Sequence, residues 1–154
     1  PHSIPHIDII VFNCALSFSD FQKYRAAINN PMHYQRARHV NTENKRTQDA
    51  AQALIANDIR RFGKLMVESH KSLHSDYEVT GLELDTLVEA SMEAEGVMGA
   101  RMTGAGFGGC AIALVHRNHI SKFQHHVEKV YLQKTGLKVE FYDAYAVNGA
   151  CRIL

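Results

Sequence analysis

Residues 101–115 read RMTGAGFGGCAIALV and place four glycines within six positions, between two apolar runs. Gly104, Gly106 and Gly109 spell G-x-G-x-x-G, which in dinucleotide-binding folds lies between a strand and a helix. Here only the six apolar residues 110–115 follow the glycines, and a run of that length is typical of a buried strand. A Walker loop is excluded too, because no G-K-[ST] follows. The sequence therefore predicts a strand, a glycine loop and a second strand.

The chemistry of this glycine loop, residues 104–109, follows from the side chains that it lacks. Only Ala105 and Phe107 carry side chains, so successive backbone N–H groups can approach an anion, and Thr103 adds a hydroxyl at the entrance. Three or four hydrogen bonds to a charged oxygen, at about 1.5–3 kcal/mol each, hold a phosphate group. A flexible hairpin is the alternative, but a hairpin turn needs only one or two glycines. We therefore interpret the segment as a phosphate-binding loop.

Composition excludes several classes of protein. The 154 residues suit one domain with its own core, and 17 Lys and Arg nearly balance 16 Asp and Glu, which gives no basis for a nucleic-acid or polybasic membrane surface. Cys14, Cys110 and Cys151 lie far apart, which predicts reduced thiols in a cytoplasmic protein. We expect neither a membrane span nor a signal peptide. The chain starts at Pro1 without an initiator Met, which either processing or a longer parent protein explains.

The rest of the chain predicts helices first and then a β-loop-β-α-β order. This is an α+β fold with a small, mainly antiparallel sheet and helices on one face. A short strand is expected at residues 6–14, and residues 138–147 alternate as a last strand. The predicted helix starts are a capping box of Ser19 and Gln22, Pro31 in the first turn of a long helix, an N-cap at Asp58, a capping box of Thr80 and Glu83, and Asn118 at a helix that ends at Gly136.

Three stretches, in this order, carry a resemblance to a known family. They are RARHVNTENKRTQDAAQAL (residues 36–54), FGKLMVESHKSLHSDYEVTGLELDTLVEA (62–90) and GVMGARMTGAGFGGCAIALV (96–115). The last resembles the third signature motif of the GHMP kinases, and all three together resemble the C-terminal part of the galactokinases in that family. The resemblance implies a ferredoxin-like C-terminal domain over residues 19–154 and leaves the origin of residues 1–18 open.

The resemblance also implies an activity and a set of site residues. Galactokinases transfer the γ-phosphoryl group of ATP, with Mg²⁺, to the anomeric 1-hydroxyl of galactose, and the third motif lies near the nucleotide and the sugar phosphate. Many members read M-T-G-G-G-F-G-G there, and the extra methyl of Ala105 is compatible with that motif if its φ is negative. The motif places seven residues beside the phosphates: Thr103, Gly104, Ala105, Gly106, Phe107, Gly108 and Gly109. A supporting role is implied for Asp76, Tyr77 and Glu78.

Two motifs of the family do not occur in these 154 residues, an R-x-N-x-x-G-E-H-like motif and a P-x-G-x-G-L-S-S-S-like ATP loop. The family's catalytic aspartate, its arginine partner and most sugar contacts belong to that missing half. Phosphoryl transfer requires positioning together with Mg²⁺ and cationic groups. We therefore expect a C-terminal domain without catalytic residues, inactive alone, which works with an N-terminal kinase half. Its uncovered interface is expected to promote self-association.

Two other functions remain open. One is a non-catalytic, galactokinase-like ligand sensor or interaction domain, since the same fold can bind without turnover. The other is a different GHMP kinase, such as one that acts on mevalonate, which the stretches HSDYEV and RARH disfavour. The sequence that precedes Pro1 in the gene discriminates the sensor from the kinase, because only the kinase needs an intact ATP loop.

The histidines are interpreted as structural. His70 and His74 stand four residues apart on a predicted helix, which is the spacing of a two-histidine metal clip. No third ligand is evident, so we assign them a structural role at the surface and predict no metal site. His125 and His126 are adjacent and diverge by about 100° on a helix, which prevents them from sharing an ion.

Two further features have unremarkable interpretations. The stretch RARH, with Lys45 and Arg46, is predicted to be a solvated helix face balanced by Glu43 and Asp49. Cys110 directly follows the glycines, but no neighbouring motif supplies a base. We therefore predict a buried strand cysteine rather than a nucleophile.

Overall fold

The computed structural model describes residues 17–144, so the strand expected at residues 6–14 lies outside the described residues. In chain order, the elements are helix α1 (Phe18–Tyr24), a 3-10 turn (Arg25–Ala27), helix α2 (Pro31–Ile55), helix α3 (Ile59–Ser72), a π-turn (Leu73–Tyr77), helix α4 (Leu82–Glu93), strands β1 (Val97–Thr103) and β2 (Cys110–Val115), a 3-10 turn (Arg117–His119) and helix α5 (Ile120–Thr135). No helix within residues 17–144 is long and apolar enough to cross a membrane.

Two of the predicted helix starts are confirmed, at α2 and α3. Pro31 is the first residue of α2, and Oδ1 of Asn30 caps the helix by accepting the N–H of Met32 (2.9 Å). Proline suits this place because the first N–H groups of a helix have no intrahelical partner. Asp58 caps α3 through its Oδ1, which accepts the N–H of Arg61 (2.9 Å). The break between the two helices lets α3 fold back against α2.

The predicted capping boxes at Ser19 and Thr80 are wrong. Ser17 caps α1, because its Oγ accepts the N–H three residues further on (3.1 Å), and Ser19 lies inside the helix. Helix α4 starts after Gly81, which has a φ of +108° and no side chain to cap with. Thr80 Oγ1 instead bonds with Nδ1 of His74 (3.1 Å). Ser17 thus replaces Ser19 as the cap of α1, whereas no side chain caps α4.

Helix α5 ends as predicted but starts differently. Gly136 ends it with a φ of +73° and donates its N–H to the carbonyl four residues back (2.9 Å). Asn118 is not its cap, because the helix begins at Ile120, after a 3-10 turn. The N–H of Asn118 donates to Nδ1 of His116 (3.4 Å), so the side chain before the turn does the capping.

The strand predicted for residues 138–147 is wrong over residues 138–144, which form no strand. Val139 and Phe141 are half-buried, and the ring of Phe141 packs edge-on against that of Phe123 with centroids 6.1 Å apart. The alternation of apolar residues in this segment therefore reflects the burial of their side chains and not pairing with another strand. Residues 145–147 lie outside the described residues.

Strands β1 and β2 pair across the glycine loop as a two-stranded antiparallel sheet. The register runs from Val97 opposite Val115 to Thr103 opposite Cys110, with a bulge between Val97 and Gly99. The segment after the glycines is therefore an extended strand. This confirms that the loop is not a dinucleotide-binding loop, which requires a helix at that position.

Two clusters of buried side chains pack the helices with the sheet. The first joins the π-turn, α4 and β1 and consists of Leu73, Val79, Leu84 and Met102. The second joins α4 to α5 and consists of Ala90, Ala94, Phe123 and Val127, with half-buried side chains of both strands against it. The predicted α+β arrangement, a small antiparallel sheet packed with helices, is confirmed.

Helix α3 approaches the backbone of β1 directly, at a pair of glycines. A Cβ at Gly63 would lie 2.0 Å from the carbonyl oxygen of Met98, and one at Gly99 would lie 2.3 Å from the carbonyl oxygen of Gly63. Further along the same helix, Nδ1 of His70 accepts the N–H of Met102 (3.2 Å). Helix α3 thereby fixes β1 up to the start of the glycine loop.

Candidate functional site

The glycine loop has a backbone that few residues other than glycine adopt. Gly104, Gly106, Gly108 and Gly109 have φ values of +88°, +90°, +109° and +119°. Phe107 also has a positive φ, of +60°, and its side chain is 82% exposed. Ala105 is not among the residues with positive φ in the described chain, so the condition for its extra methyl is met.

The middle of the loop touches Val79, whereas both ends are open. The N–H of Phe107 donates to the carbonyl oxygen of Val79 (2.8 Å), and a Cβ at Gly106 would lie 2.2 Å from the same oxygen. A Cβ at Gly104, Gly108 or Gly109 would meet no atom within 4 Å. The loop is therefore held at one point.

Five backbone N–H groups of the loop remain unpaired. Apart from Phe107, no amide of residues 104–109 has a hydrogen-bond partner within residues 17–144. All loop residues except Gly106 are exposed, so the donors are not sealed off. Unpaired backbone amides in an exposed, glycine-rich loop are donors of the kind that bind anions.

Thr103 connects the loop to a cavity of about 330 Å³ between α2, α3 and the sheet. The cavity is charged on one side, where Glu43 accepts hydrogen bonds from Ser69 Oγ (2.5 Å), from Arg101 (3.3 Å) and from Arg46. Lys45 pairs with Asp49 one helical turn further along α2. The predicted pairing of Lys45 and Arg46 with acidic neighbours is thus confirmed, although Arg46 is largely buried rather than solvated.

The three residues of the supporting set, Asp76, Tyr77 and Glu78, lie together where the π-turn ends. Asp76 is buried, and its carboxylate accepts from Nε of Arg38 (3.1 Å) and from Nη2 of the same side chain. Glu78 is exposed, has a φ of +57° and pairs with Arg36 (2.5 Å). The hydrogen bond to Asp76 raises the pKa of Arg38.

The expectation that the RARH stretch is a solvated face is wrong for Ala37 and His39, which are 1% and 7% exposed. For Arg36 and Arg38 the expected balance by Glu43 and Asp49 is wrong. Both guanidinium groups reach across to the 76–78 turn, and neither pairs with Glu43 or Asp49. Their partners are about 40 residues away in sequence, so the local charge pattern on α2 gives no sign of them.

A second buried network lies behind Tyr77. The ring of His39 stacks on Tyr77 with centroids 4.8 Å apart, and its Nδ1 bonds with Ser72 Oγ (2.9 Å). Ser72 Oγ in turn donates to Oδ2 of Asp76 (3.1 Å). Burial lowers the pKa of His39, with smaller opposing contributions from Glu43 and Asp76.

The surface position assigned to His70 is wrong, because this side chain is 7% exposed. Its Nε2 lies 3.2 Å from Oδ1 of Asp85, and the other oxygen of Asp85 lies 2.9 Å from Nδ1 of the exposed His74. Burial lowers the pKa of His70, and Asp85 opposes that shift. Spacing could have revealed this burial, because His70 follows Phe62 and Met66 at intervals of four on the inner face of α3.

No group of three or more His, Cys, Asp or Glu side chains within residues 17–144 could hold a metal ion. His126 lies 3.7 Å from Glu93, and its neighbour His125 is exposed. The burial predicted for Cys110 is wrong: it is an exposed free thiol. It stands at the open end of the loop, where β2 has just begun and no helix covers it.

The site also contains a residue that sequence reasoning missed. Val79 holds the loop through its backbone carbonyl, and such a role cannot be predicted from the residue type. The only signal is its position, directly after the 76–78 turn and within a stretch that the family resemblance singled out.

Comparisons with known proteins agree on one family. Residues 50–133 match the family described as GHMP kinases C terminal. The galactokinase of Staphylococcus saprophyticus is 52% identical over 134 residues, which is 87% of this chain and 35% of the relative. The galactokinase of Enterococcus faecalis is 49% identical over 144 residues, 94% of this chain and 37% of the relative. The chain thus spans little more than a third of the length of these relatives.

A solved structure shows the same fold. The crystal structure of Lactococcus lactis galactokinase complexed with galactose matches with a TM-score of 0.81 and 48% sequence identity. The match covers 84% of this chain and 34% of that one.

Proposed function

We propose that this chain, which belongs to the GHMP kinase family and corresponds to the C-terminal domain of that family, forms the C-terminal part of a galactokinase. The complete enzyme would transfer the γ-phosphoryl group of ATP to the 1-hydroxyl of galactose. The identities of about 50% to galactokinases support this substrate over that of another GHMP kinase.

The five unpaired amides of the glycine loop are the observation that carries the proposal. Phosphoryl transfer depends on positioning and on charge stabilisation of the moving group. Backbone donors that have no internal partner need not break a bond to receive a phosphate oxygen, and the contact with Val79 restrains the loop that carries them before the ligand arrives. We assign this role to the loop from Thr103 to Gly109, with the Thr103 hydroxyl at its edge.

ATP fits the loop as an anion, whereas no residue of this chain is assigned to Mg²⁺. The described residues hold no suitable metal cluster, and the cation would reach the site bound to the phosphates of ATP. When bound, Mg²⁺ neutralises charge that develops on the phosphoryl oxygens. The chain's own part is to hold phosphate oxygens through its loop amides.

The chain alone is proposed to be inactive. It contains neither of the two family motifs that carry the ATP loop and the catalytic aspartate. We propose that the partner of this domain is the remaining, N-terminal part of the enzyme, and that the location is cytoplasmic. Exposed apolar side chains such as Phe107 and Ile112 would then lie against that partner, and in its absence we expect self-association, measurable by sedimentation.

A chimera tests the function. This chain replaces the C-terminal part of the Lactococcus lactis galactokinase that it matches, and galactose-dependent ATP turnover is measured. The chimera is expected to be active and the isolated chain to remain at background. Binding of galactose and ATP without turnover by the chimera would favour the sensor alternative. Turnover by the isolated chain would refute its proposed inactivity.

Gly106→Asp in the chimera tests the loop. The added carboxylate repels phosphate, and its Cβ meets the carbonyl of Val79, so we expect turnover to fall at least about 100-fold. Asn44→Asp is the control, because it adds the same charge at an exposed position of α2. If Gly106→Asp retains the kinetics of the parent chimera, the loop is only a turn.

A further inference from the structure

The 76–78 turn is fixed to helix α2 by two arginines. Arg38 binds both carboxylate oxygens of Asp76, whose side chain is 9% exposed, and Ser72 Oγ donates to the same carboxylate (3.1 Å). A buried carboxylate is costly unless it is paired and hydrogen-bonded, so these partners determine where the turn lies. Arg36 adds a second connection, since it donates to the backbone carbonyl of Asp76 and to the carboxylate of Glu78.

The 76–78 turn also fixes the position of Val79. The left-handed φ of Glu78 redirects the chain after the π-turn, and Val79 enters the core, where it is 8% exposed. Its N–H donates back to the carbonyl of Leu73 (3.2 Å), and its side chain packs with Leu84 and Met102. The carbonyl of Val79 therefore has a defined direction.

That carbonyl is the loop's one hydrogen-bonded contact with the rest of the chain within residues 17–144. It accepts the N–H of Phe107 at 2.8 Å and lies so close to Gly106 that a Cβ there could not be accommodated. The open positions Gly104, Gly108 and Gly109 flank this contact. The arrangement of the unpaired amides accordingly depends on where Val79 lies.

We infer that Arg38, acting through Asp76 and Val79, is a positioning residue for the glycine loop. Arg36 reinforces it at Glu78. The consequence for phosphoryl transfer rests on the function proposed above, whereas the mechanical connection from α2 to the loop does not. Loosening the turn would leave the loop amides present but no longer held in one arrangement, and preorganised donors lose most of their effect when they must reorganise.

Arg38→Lys tests the connection in the 154-residue chain itself. Lysine keeps the positive charge beside Asp76, so the carboxylate is not left unpaired, but it cannot bind both oxygens in the planar fork of arginine. We expect hydrogen exchange of the Phe107 amide, followed by NMR, to accelerate at least about tenfold, while the amides of α5 keep their rates. Arg46→Lys is the matched control on the same helix, since its carboxylate partners, Glu43 and Glu68, lie on α2 and α3 and not in the turn.

The two variants also separate positioning from a general loss of stability. Similar thermal midpoints with a selective acceleration at Phe107 in Arg38→Lys support the inference. An unchanged Phe107 rate in Arg38→Lys, or an equal acceleration in Arg46→Lys, overturns it. This measurement needs no enzymatic activity, so it decides the connection even if the chimera proves inactive.

The catalytic consequence is measured in the chimera. Arg38→Lys is expected to lower kcat/KM for ATP at least about tenfold and to change the KM for galactose less than twofold, whereas Arg46→Lys leaves both near the parent values. An active chimera with unchanged ATP kinetics in Arg38→Lys overturns the positioning role. An inactive parent chimera instead counts against the proposed function.

Discussion

The two ends of β1 both rely on glycine, for opposite reasons. At its beginning, Gly99 lies against Gly63 of α3, with no room for a Cβ on either residue. Just past its end, Gly104 has no atom within 4 Å of where a Cβ would be. The first glycine pair removes side chains so that two backbones can touch, and the second region removes them so that backbone donors stay uncovered.

With the function proposed for the loop, this difference separates stability from ligand binding. The α3–β1 contact buries backbone and closes with the hydrogen bond from Met102 to His70 (3.2 Å), so changes there should unfold the domain. The loop, apart from Gly106, contributes little packing, so changes there should alter ligand use first. Each of the following variants can break or sharpen this distinction.

Gly63→Ala should clearly destabilise the domain. Helix propensity alone favours alanine by about 1 kcal/mol. The new Cβ would, however, lie 2.0 Å from the carbonyl oxygen of Met98, and overpacking of this kind costs about 3 kcal/mol. Urea unfolding should therefore show a clear loss. Ala51→Gly, the reverse change at an exposed position of α2, is the control, because it alters helix propensity without touching the contact between α3 and β1. A Gly63→Ala variant that is more stable than the parent would contradict close packing at this contact.

Gly106→Ala and Gly104→Ala form a pair with nearly the same φ, +90° and +88°. The left-handed conformation alone costs alanine about 1–2 kcal/mol at either position. At Gly106 the contact with Val79 adds about 1–3 kcal/mol and breaks the hydrogen bond from Phe107. Urea unfolding should therefore show a larger loss of stability for Gly106→Ala than for Gly104→Ala. Equal losses would show that Val79 does not hold the loop.

Acid should weaken the α3–β1 contact through His70. Because burial lowers the pKa of His70 below its ordinary value of about 6.5, the unfolded chain binds more protons than the folded one as the pH falls below that value. Stability is therefore fully present above pH about 6.5 and is lost on acidification, at up to about 1.4 kcal/mol per pH unit. Asp85, His74 and Arg101 are the ionisable groups that act on the ring.

His70→Asn provides the matched variant, since its amide oxygen can accept the N–H of Met102 but does not titrate. Urea unfolding between pH 5 and pH 7.5 should show a flatter acid dependence than in the parent. The part that remains is expected from His39, which is also buried and whose pKa burial also lowers. An identical pH profile in the variant would remove His70 from the explanation.

Phe107→Ala should have the smallest effect on stability. The side chain is 82% exposed, and substitutions at such positions usually change the free energy of unfolding by less than about 0.5 kcal/mol. Phe123→Ala, the same change in the core, should cost about 3–5 kcal/mol. Comparable losses in the two variants would mean that the loop is packed and not open.

Local sequence patterns predicted the structural features that depend only on neighbouring residues. The strands on both sides of the glycines, Pro31 in a first turn and the cap at Asp58 were all predictable because each follows from a few adjacent residues. The cap expected at Ser19 failed because Ser17, two residues earlier, caps the helix, and the cap expected at Asn118 failed because His116, two residues earlier, caps the 3-10 turn. At α4 no side chain caps the helix, and Thr80 bonds with His74 instead.

Contacts between distant segments were out of reach of such patterns. The pairing of Arg38 with Asp76 joins residues 38 positions apart, and the carbonyl of Val79 belongs to a residue type that suggests only burial. The exposure of Cys110 was missed because an apolar run predicts a strand but not which of its residues a helix covers. The resemblance pointed to residues 76–78 as a group, and the structure shows the bonds that join them to α2.

The geometry of the glycine loop depends on the number of residues in the π-turn Leu73–Tyr77 as well as on their types. A π-turn contains one residue more than an α-helical turn. Without that extra residue, the side chains that follow it within the turn would rotate by about 100° around the helix axis, which would move Asp76 away from Arg38. Ser75 is exposed and can vary in identity, but the number of residues in the turn cannot change without moving the loop.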